Sequence, residues 1–133
     1  DMRAVSVFSA MILLFASCGG EVPSSVTAEE TGVFNAETLT DGNYGGYRYH
    51  EYQLTAGALD VVKVSIEAEG FQPILNLYEG STGAHLAEWD SGYSDDPCLE
   101  YRIASPGEYF VRVHNPGDGD GSYTLFITLE KRS

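Results

Sequence analysis

The sequence predicts an all-β fold, an antiparallel β-sandwich of about seven or eight strands. Three observations lead there. Tyr109, Val111 and Val113 alternate with Phe110, Arg112 and His114, and Tyr123, Leu125, Ile127 and Leu129 alternate with Thr124, Phe126 and Thr128. Period-two alternation of this length marks half-buried strands. Turn signals rich in Gly, Pro, Asn and Asp recur about every ten residues. No stretch carries the 3.6-residue periodicity of an amphipathic helix.

In chain order, residues 34–39 (FNAETL) read as a short first strand or an N-terminal arm, followed by the turn cluster 41–46 (DGNYGG). Residues 47–54 (YRYHEYQL) form a Tyr-rich strand of ambiguous register. Tyr47 and Tyr49 share one face and Tyr52 and Leu54 the other, and a bulge near His50 and Glu51 would bring both pairs to the core. In residues 59–68, Val62, Val64 and Ile66 point inward. Strands follow at 74–78, 84–89 and 98–103, the last with Leu99, Tyr101 and Ile103 on one face. Residues 107–114 and 121–129 flank the turn-forming segment 115–120 (NPGDGD) and read as an antiparallel hairpin with a long loop.

Ahead of this domain, residues 4–16 (AVSVFSAMILLFA) form an apolar run behind Arg3, too short to span a bilayer comfortably and suited to a signal-peptide core. The run ends in Phe15-Ala16-Ser17-Cys18, which resembles a bacterial lipobox with Cys18 as the lipidated residue. An ordinary signal peptide cut nearby is the alternative. This divides the chain into a leader (1–17), a small, polar, acidic tether (18–32) and a sandwich domain (33–133). Export and anchoring to the cell envelope, facing outside the cytoplasm, follow as expectations.

The chain carries 7 Lys and Arg against 20 Asp and Glu, a net charge of −13. Loss of Asp1 and Arg3 with the leader leaves that charge unchanged. A surface this acidic repels nucleic acid, and it repels anionic lipid except where a covalent anchor tethers it. Catalytic motifs such as G-x-S-x-G and H-E-x-x-H are absent. His50, His85 and His114 fall on different strands and read as scattered surface residues, so no enzyme is expected.

The ordered series 49–57 (YHEYQLTAG), 71–78 (FQPILNLY), 83–87 (GAHLA), 107–113 (GEYFVRV) and 121–125 (GSYTL) resembles the bacterial pre-peptidase C-terminal domain, from about Asp41 to Leu129. The resemblance implies a jelly-roll-like sandwich, here as a free-standing lipoprotein rather than an enzyme's appendage. Relatives that bind collagen also bind calcium and use a Tyr-rich sheet face. The oxygens that this would recruit here are those of Glu29, Glu30, Asn35, Glu37, Asp41 and Asn43. Asp90, Asp95 and Asp96 form a second acidic cluster, and Asp118 and Asp120 a third that reads more simply as a turn. None of them is assigned as a metal ligand.

Cys98 reads as a small, shielded hydrophobe, with an intermolecular disulfide or a bridge to an unlipidated Cys18 as alternatives. The candidate ligand site is the outward set Phe110, Arg112, His114 and Phe126, joined by Tyr47 or Tyr49. Rings and a cation in this arrangement suit an extended protein chain or a sugar, although cross-strand pairs of this kind also stabilise sheets with no ligand at all. Trp89 reads as a core plug. The leading expectation is a non-catalytic module that binds an extracellular protein or polymer. A carbohydrate-binding module, favoured by a concave aromatic groove, and a structural envelope lipoprotein are the alternatives.

Overall fold

A computed structural model describes residues 2–4, 25–94, 98–117 and 119–131 of the chain. All regular elements among them are strands: β1 (Met2–Ala4), β2 (Ser25–Phe34), β3 (Thr40–Asp41), β4 (Tyr47–Ala56), β5 (Val61–Glu69), β6 (Ile74–Glu79), β7 (His85–Asp90), β8 (Leu99–Arg102), β9 (Gly107–Asn115) and β10 (Gly121–Glu130). One sheet runs β1-β4-β9-β6-β7, with β3 also on β4, and the other runs β2-β10-β5-β8. Apart from the parallel contact of β1 with β4, the pairings are antiparallel. The inward rows meet in one core built on Tyr52, Val62, Val64, Leu75, Leu77, Val111, Val113 and Leu125.

The two C-terminal strands do not form a hairpin. β9 pairs with β4 and β6, and β10 pairs with β2 and β5, so the chain passes from one sheet to the other between these two strands. Both strands do bury the alternating set read from the sequence, but they bury it against each other across the core. Alternation states which face is buried and not which strand lies alongside. The bulge suggested at His50 and Glu51 is also absent. β4 keeps an unbroken register with β9 from Arg48 opposite Asn115 to Ala56 opposite Gly107. Tyr52 therefore faces the core and Tyr47 and Tyr49 face outward. The irregularity in this sheet falls between Leu77 and Tyr78 instead.

Much of the segment read as a tether is a strand. β2 pairs with β10 along its whole length, from Gly121 opposite Phe34 to Glu130 opposite Ser25. Ala28 and Phe34 are buried, and inward burial at alternate positions outweighs the low local hydrophobicity of the segment. Residues 18–24 and most of the leader, Cys18 included, lie outside the described residues. Cys98 is disulfide-bonded, which replaces the unpaired thiol expected for it. An oxidising compartment favours that state.

His50 is not a surface histidine. It points inward at one end of the core, stacked on Phe34 with ring centroids 4.6 Å apart. Its Nδ1 is hydrogen-bonded to the Tyr123 hydroxyl at 2.6 Å, which in turn meets the Tyr52 hydroxyl at 2.5 Å. This polar knot fits because β2 has no side chain where the Tyr123 ring crosses it. A methyl group at Gly32 would lie 2.3 Å from the Tyr123 hydroxyl oxygen. Gly32→Ala is therefore expected to destabilise the fold by about 1–3 kcal/mol through overpacking. Gly42→Ala, with open space around it, is expected to be nearly neutral. Urea denaturation midpoints of the two variants check this, and equal midpoints would show that the Tyr123 ring can move aside.

Candidate functional site

Residues opposite one another in a sheet share a face, so the β4–β9–β6–β7 register fixes what the first sheet shows to the outside. One row runs Gln53, Phe110, Tyr78, His85. The next runs Glu51, Arg112, Asn76, Glu88, and the third runs Tyr49, His114, Ile74, Asp90. Arg112 lies at the centre. Its Nε donates to Glu51 Oε1 and its Nη1 to Asp41 Oδ2, both at 2.7 Å. Its Cζ lies 4.9 Å from the ring centroids of both Tyr49 and Tyr78. The guanidinium is thus held between two rings and two carboxylates. Each cation–ring contact contributes about 0.5–1 kcal/mol at a half-exposed position. Burial alone would lower the Arg112 pKa, but Glu51 and Asp41 outweigh it and the net shift is upward.

The turn cluster 41–46 folds over this face as a strap. Asp41 O accepts from Tyr44 N at 3.1 Å and from Gly46 N at 2.9 Å, and Asp41 Oδ1 accepts from Asn43 N at 3.0 Å. Gly45 and Gly46 both take positive φ, 67° and 70°, which explains why this tight loop ends in two glycines. The strap lays Tyr44 over the His114 ring, with centroids 4.4 Å apart, and the Tyr44 hydroxyl donates to Glu88 Oε2 at 2.6 Å. Burial first, and then Glu88, push the Tyr44 phenol well above its usual range. Tyr78 is also raised, chiefly by burial.

Beneath the strap, a hydrogen-bond chain crosses three strands. His85 Nε2 donates to Asn76 Oδ1 at 2.8 Å, Asn76 Nδ2 donates to His114 Nδ1 at 3.1 Å, and His114 Nε2 donates to Asp41 Oδ2 at 2.9 Å. This pattern requires a neutral His114. Burial lowers the His114 pKa by more than Asp41 raises it. For Asp41, burial acts upward, and the hydrogen bonds from His114, the Asn43 N–H and Arg112 together outweigh it, so its carboxyl lies below the usual range.

The expected ligand set is therefore only partly brought together. Phe110 and Arg112 share the face with Tyr49 and Tyr78. His114 shares it too but is fully buried under Tyr44, so it holds the face together and cannot meet a ligand. The His114–Asp41 pair has the look of an acid–base dyad, yet its ring nitrogens are spent on Asn76 and Asp41. Phe126 is on β10, outward on the other sheet, and is buried. It cannot join Phe110 and Arg112, because the two strands lie in different layers. Tyr44, Asn76 and Tyr78 were absent from the expected set. Tyr78 could have been found from its parity with Asn76 on β6, opposite the inward Leu75 and Leu77, whereas the position of Tyr44 depends on the fold of the strap.

The oxygens considered for calcium do not converge. Asp41 is engaged by Arg112 and His114. Asn35 Oδ1 accepts from Glu37 N at 2.9 Å within a local turn. Glu29 and Glu30 are neighbours on β2 and point to opposite faces. No group of three or more metal-ligating acidic, His or Cys side chains occurs among the described residues. Asp95, Asp96 and Asp118 lie outside them.

No protein-family profile matches the chain, and no curated protein sequence does. Solved structures do. Aeromonas hydrophila PliG, a periplasmic lysozyme inhibitor of g-type lysozyme, superposes with a TM-score of 0.61 at 14% identity over 97% of each chain. Salmonella Typhimurium PliG, of the same description, gives 0.55 at 19% identity over 97% of this chain and 98% of its own. The pre-peptidase C-terminal domain of a Bacillus anthracis collagenase gives 0.51 at 20% identity over 74% of this chain and 86% of its own. This chain has the fold of both groups. The resemblance read from the ordered motifs thus holds at the level of the fold, and the sandwich common to PliG and the pre-peptidase C-terminal domain is the frame for the Tyr49–Arg112–Tyr78 face.

The shifts set a pH dependence. The pKa of His114 is depressed in the fold, so the unfolded chain takes up its proton first, and stability falls as the pH drops below about 6.5. The depressed Asp41 pKa adds a second loss below about pH 4. Thermal melts should show a lower midpoint at pH 5 than at pH 7.5. His114→Gln should flatten the upper step and keep the lower one. An upper step of unchanged size in that variant would assign it to another group.

Proposed function

We propose that this chain is an exported, non-catalytic module that binds an extracellular protein through the outer face of its first sheet. The observation that carries this reading is the Tyr49–Arg112–Tyr78 stack, locked by Glu51 and Asp41. The stack presents half-exposed rings in fixed positions, so binding to it orders little that is not already ordered. Rings and an Arg on a preorganised surface are the usual anchors of protein interfaces. Glu51, Glu88 and Asp90 on this face and a net charge of −13 favour a basic partner and speed its approach. The likeness to PliG makes g-type lysozyme the first partner to test.

Surface plasmon resonance and a cell-wall lysis assay with purified g-type lysozyme test this reading. The chain should bind and inhibit. Tyr78→Ala and Phe110→Ala should each weaken binding by roughly tenfold, with the cooperative melt retained in both and a lower midpoint in Tyr78→Ala. Binding that survives both substitutions would place the interface elsewhere. No binding to lysozyme, with binding to purified wall polysaccharide instead, would favour the carbohydrate reading.

The mode of anchoring turns on the cysteines. The chain has two, so a lipid thioether on Cys18 and an intramolecular disulfide at Cys98 exclude each other. The disulfide at Cys98 supports export to an oxidising compartment. Peptide mapping of the protein isolated from cells, with and without reductant, decides between them. A linked peptide joining Cys18 to Cys98 fits the bridge, and a lipid-modified N-terminal peptide beside a free Cys98 thiol fits the anchor.

A further inference from the structure

The turn between β7 and β8 takes no part in the stack described above, and it presents Tyr93. That ring is 89% exposed, and no other Phe, Tyr or Trp side chain among the described residues falls in the exposed class. Its backbone, by contrast, is fixed. Asp90 Oδ1 accepts from Gly92 N at 2.9 Å, and Asp90 O accepts from Tyr93 N at 3.0 Å and from Ser94 N at 2.8 Å. Ser91 N donates back to Pro73 O at 3.1 Å, tying the turn to the start of β6. An Asp at the first position that bonds to the N–H two residues on, followed by Ser-Gly, is a self-closing turn. The ring at its tip buries almost nothing in this fold, so packing does not account for it.

The position of the turn gives the ring a use. Asp90 is the last residue of the row that carries Tyr49 and His114, and its carboxylate acts on the phenol of Tyr44. The turn that carries Tyr93 therefore leaves the sheet at the edge-strand end of the row beside the Tyr49–Arg112–Tyr78 face. We propose that Tyr93 is the anchor of the protein interface, a protruding ring that enters a pocket on the partner while the neighbouring face packs around it. This rests on the protein-binding reading above and adds to it a shape for the partner: a concave surface with an apolar pocket that takes the ring of Tyr93 and a basic rim that meets Asp90 and Glu88. A single ring at a turn apex gives a sugar no platform, because it lacks a second ring or a wall. It does suit insertion, since a Tyr on a backbone already held in place loses little conformational freedom on binding.

The test uses the full chain and g-type lysozyme as the probe, with wild type, Tyr93→Ala, Tyr93→Phe and Val33→Ser compared by surface plasmon resonance. Val33 is 60% exposed and lies outward on the other sheet. Tyr93→Ala should weaken binding by roughly tenfold or more, mainly through faster dissociation. Tyr93→Phe and Val33→Ser should bind as wild type does, and all four melting midpoints should coincide. If Tyr93→Ala binds as wild type does while Tyr78→Ala loses binding, the anchor assignment falls and the face reading stands. If wild type does not bind, both fall.

Discussion

The carboxylate of Asp41 is the constraint on which the outer face depends. One of its oxygens accepts from Arg112 and from His114, and the other accepts from the Asn43 N–H. Each bond acts on a different layer of the site. The bond to Asn43 closes the strap on itself. The bond to His114 fixes the strap to the sheet and sets the tautomer that lets Asn76 and His85 complete their chain. The bond to Arg112 leaves the guanidinium flat between Tyr49 and Tyr78. A buried carboxylate without these donors would be costly, and the donors without the carboxylate would be left unsatisfied. The face is therefore cooperative, because its members share one acceptor group.

This arrangement makes a rigid, aromatic surface from a chain with a large excess of acid. Arg112 is neutralised where it stands by Glu51 and Asp41, so the face does not offer a free cation to an anionic ligand. It offers ring faces, phenols and peripheral carboxylates. That chemistry suits the basic protein partner proposed above and repels nucleic acid and acidic polysaccharide.

The strands were legible in the sequence because burial on one side imposes parity, and parity is a local property. Val111, Leu75 and Leu125 stand where alternation put them. The partners of each strand were not legible. β9 and β10 are adjacent in sequence and carry matching patterns, and nothing local distinguishes two strands that pair from two that face each other across a core. β2 was obscured for a related reason, since its inward positions include Ala28 and Gly32, whose fit depends on the Tyr123 ring opposite. In the candidate site, Phe110 and Arg112 followed from parity. The burial of His114 did not, because the strap that covers it is held by the carboxylate of Asp41, 73 residues away in the chain.

The pairing of β2 with β10 joins segments near opposite ends of the chain, in register over ten residues of each strand. A polypeptide threaded outward across a membrane with its N-terminus leading would have β2 on the far side long before β10 emerged. Through that interval β2 has no partner for its backbone groups, and β10 is also the strand that pairs with β5. The second layer of the sandwich therefore closes last, when the C-terminal strand arrives between two that have been waiting. Contacts of such long sequence separation delay folding. If the chain is exported as proposed, that delay keeps it extended enough to pass through a narrow channel before its core is complete.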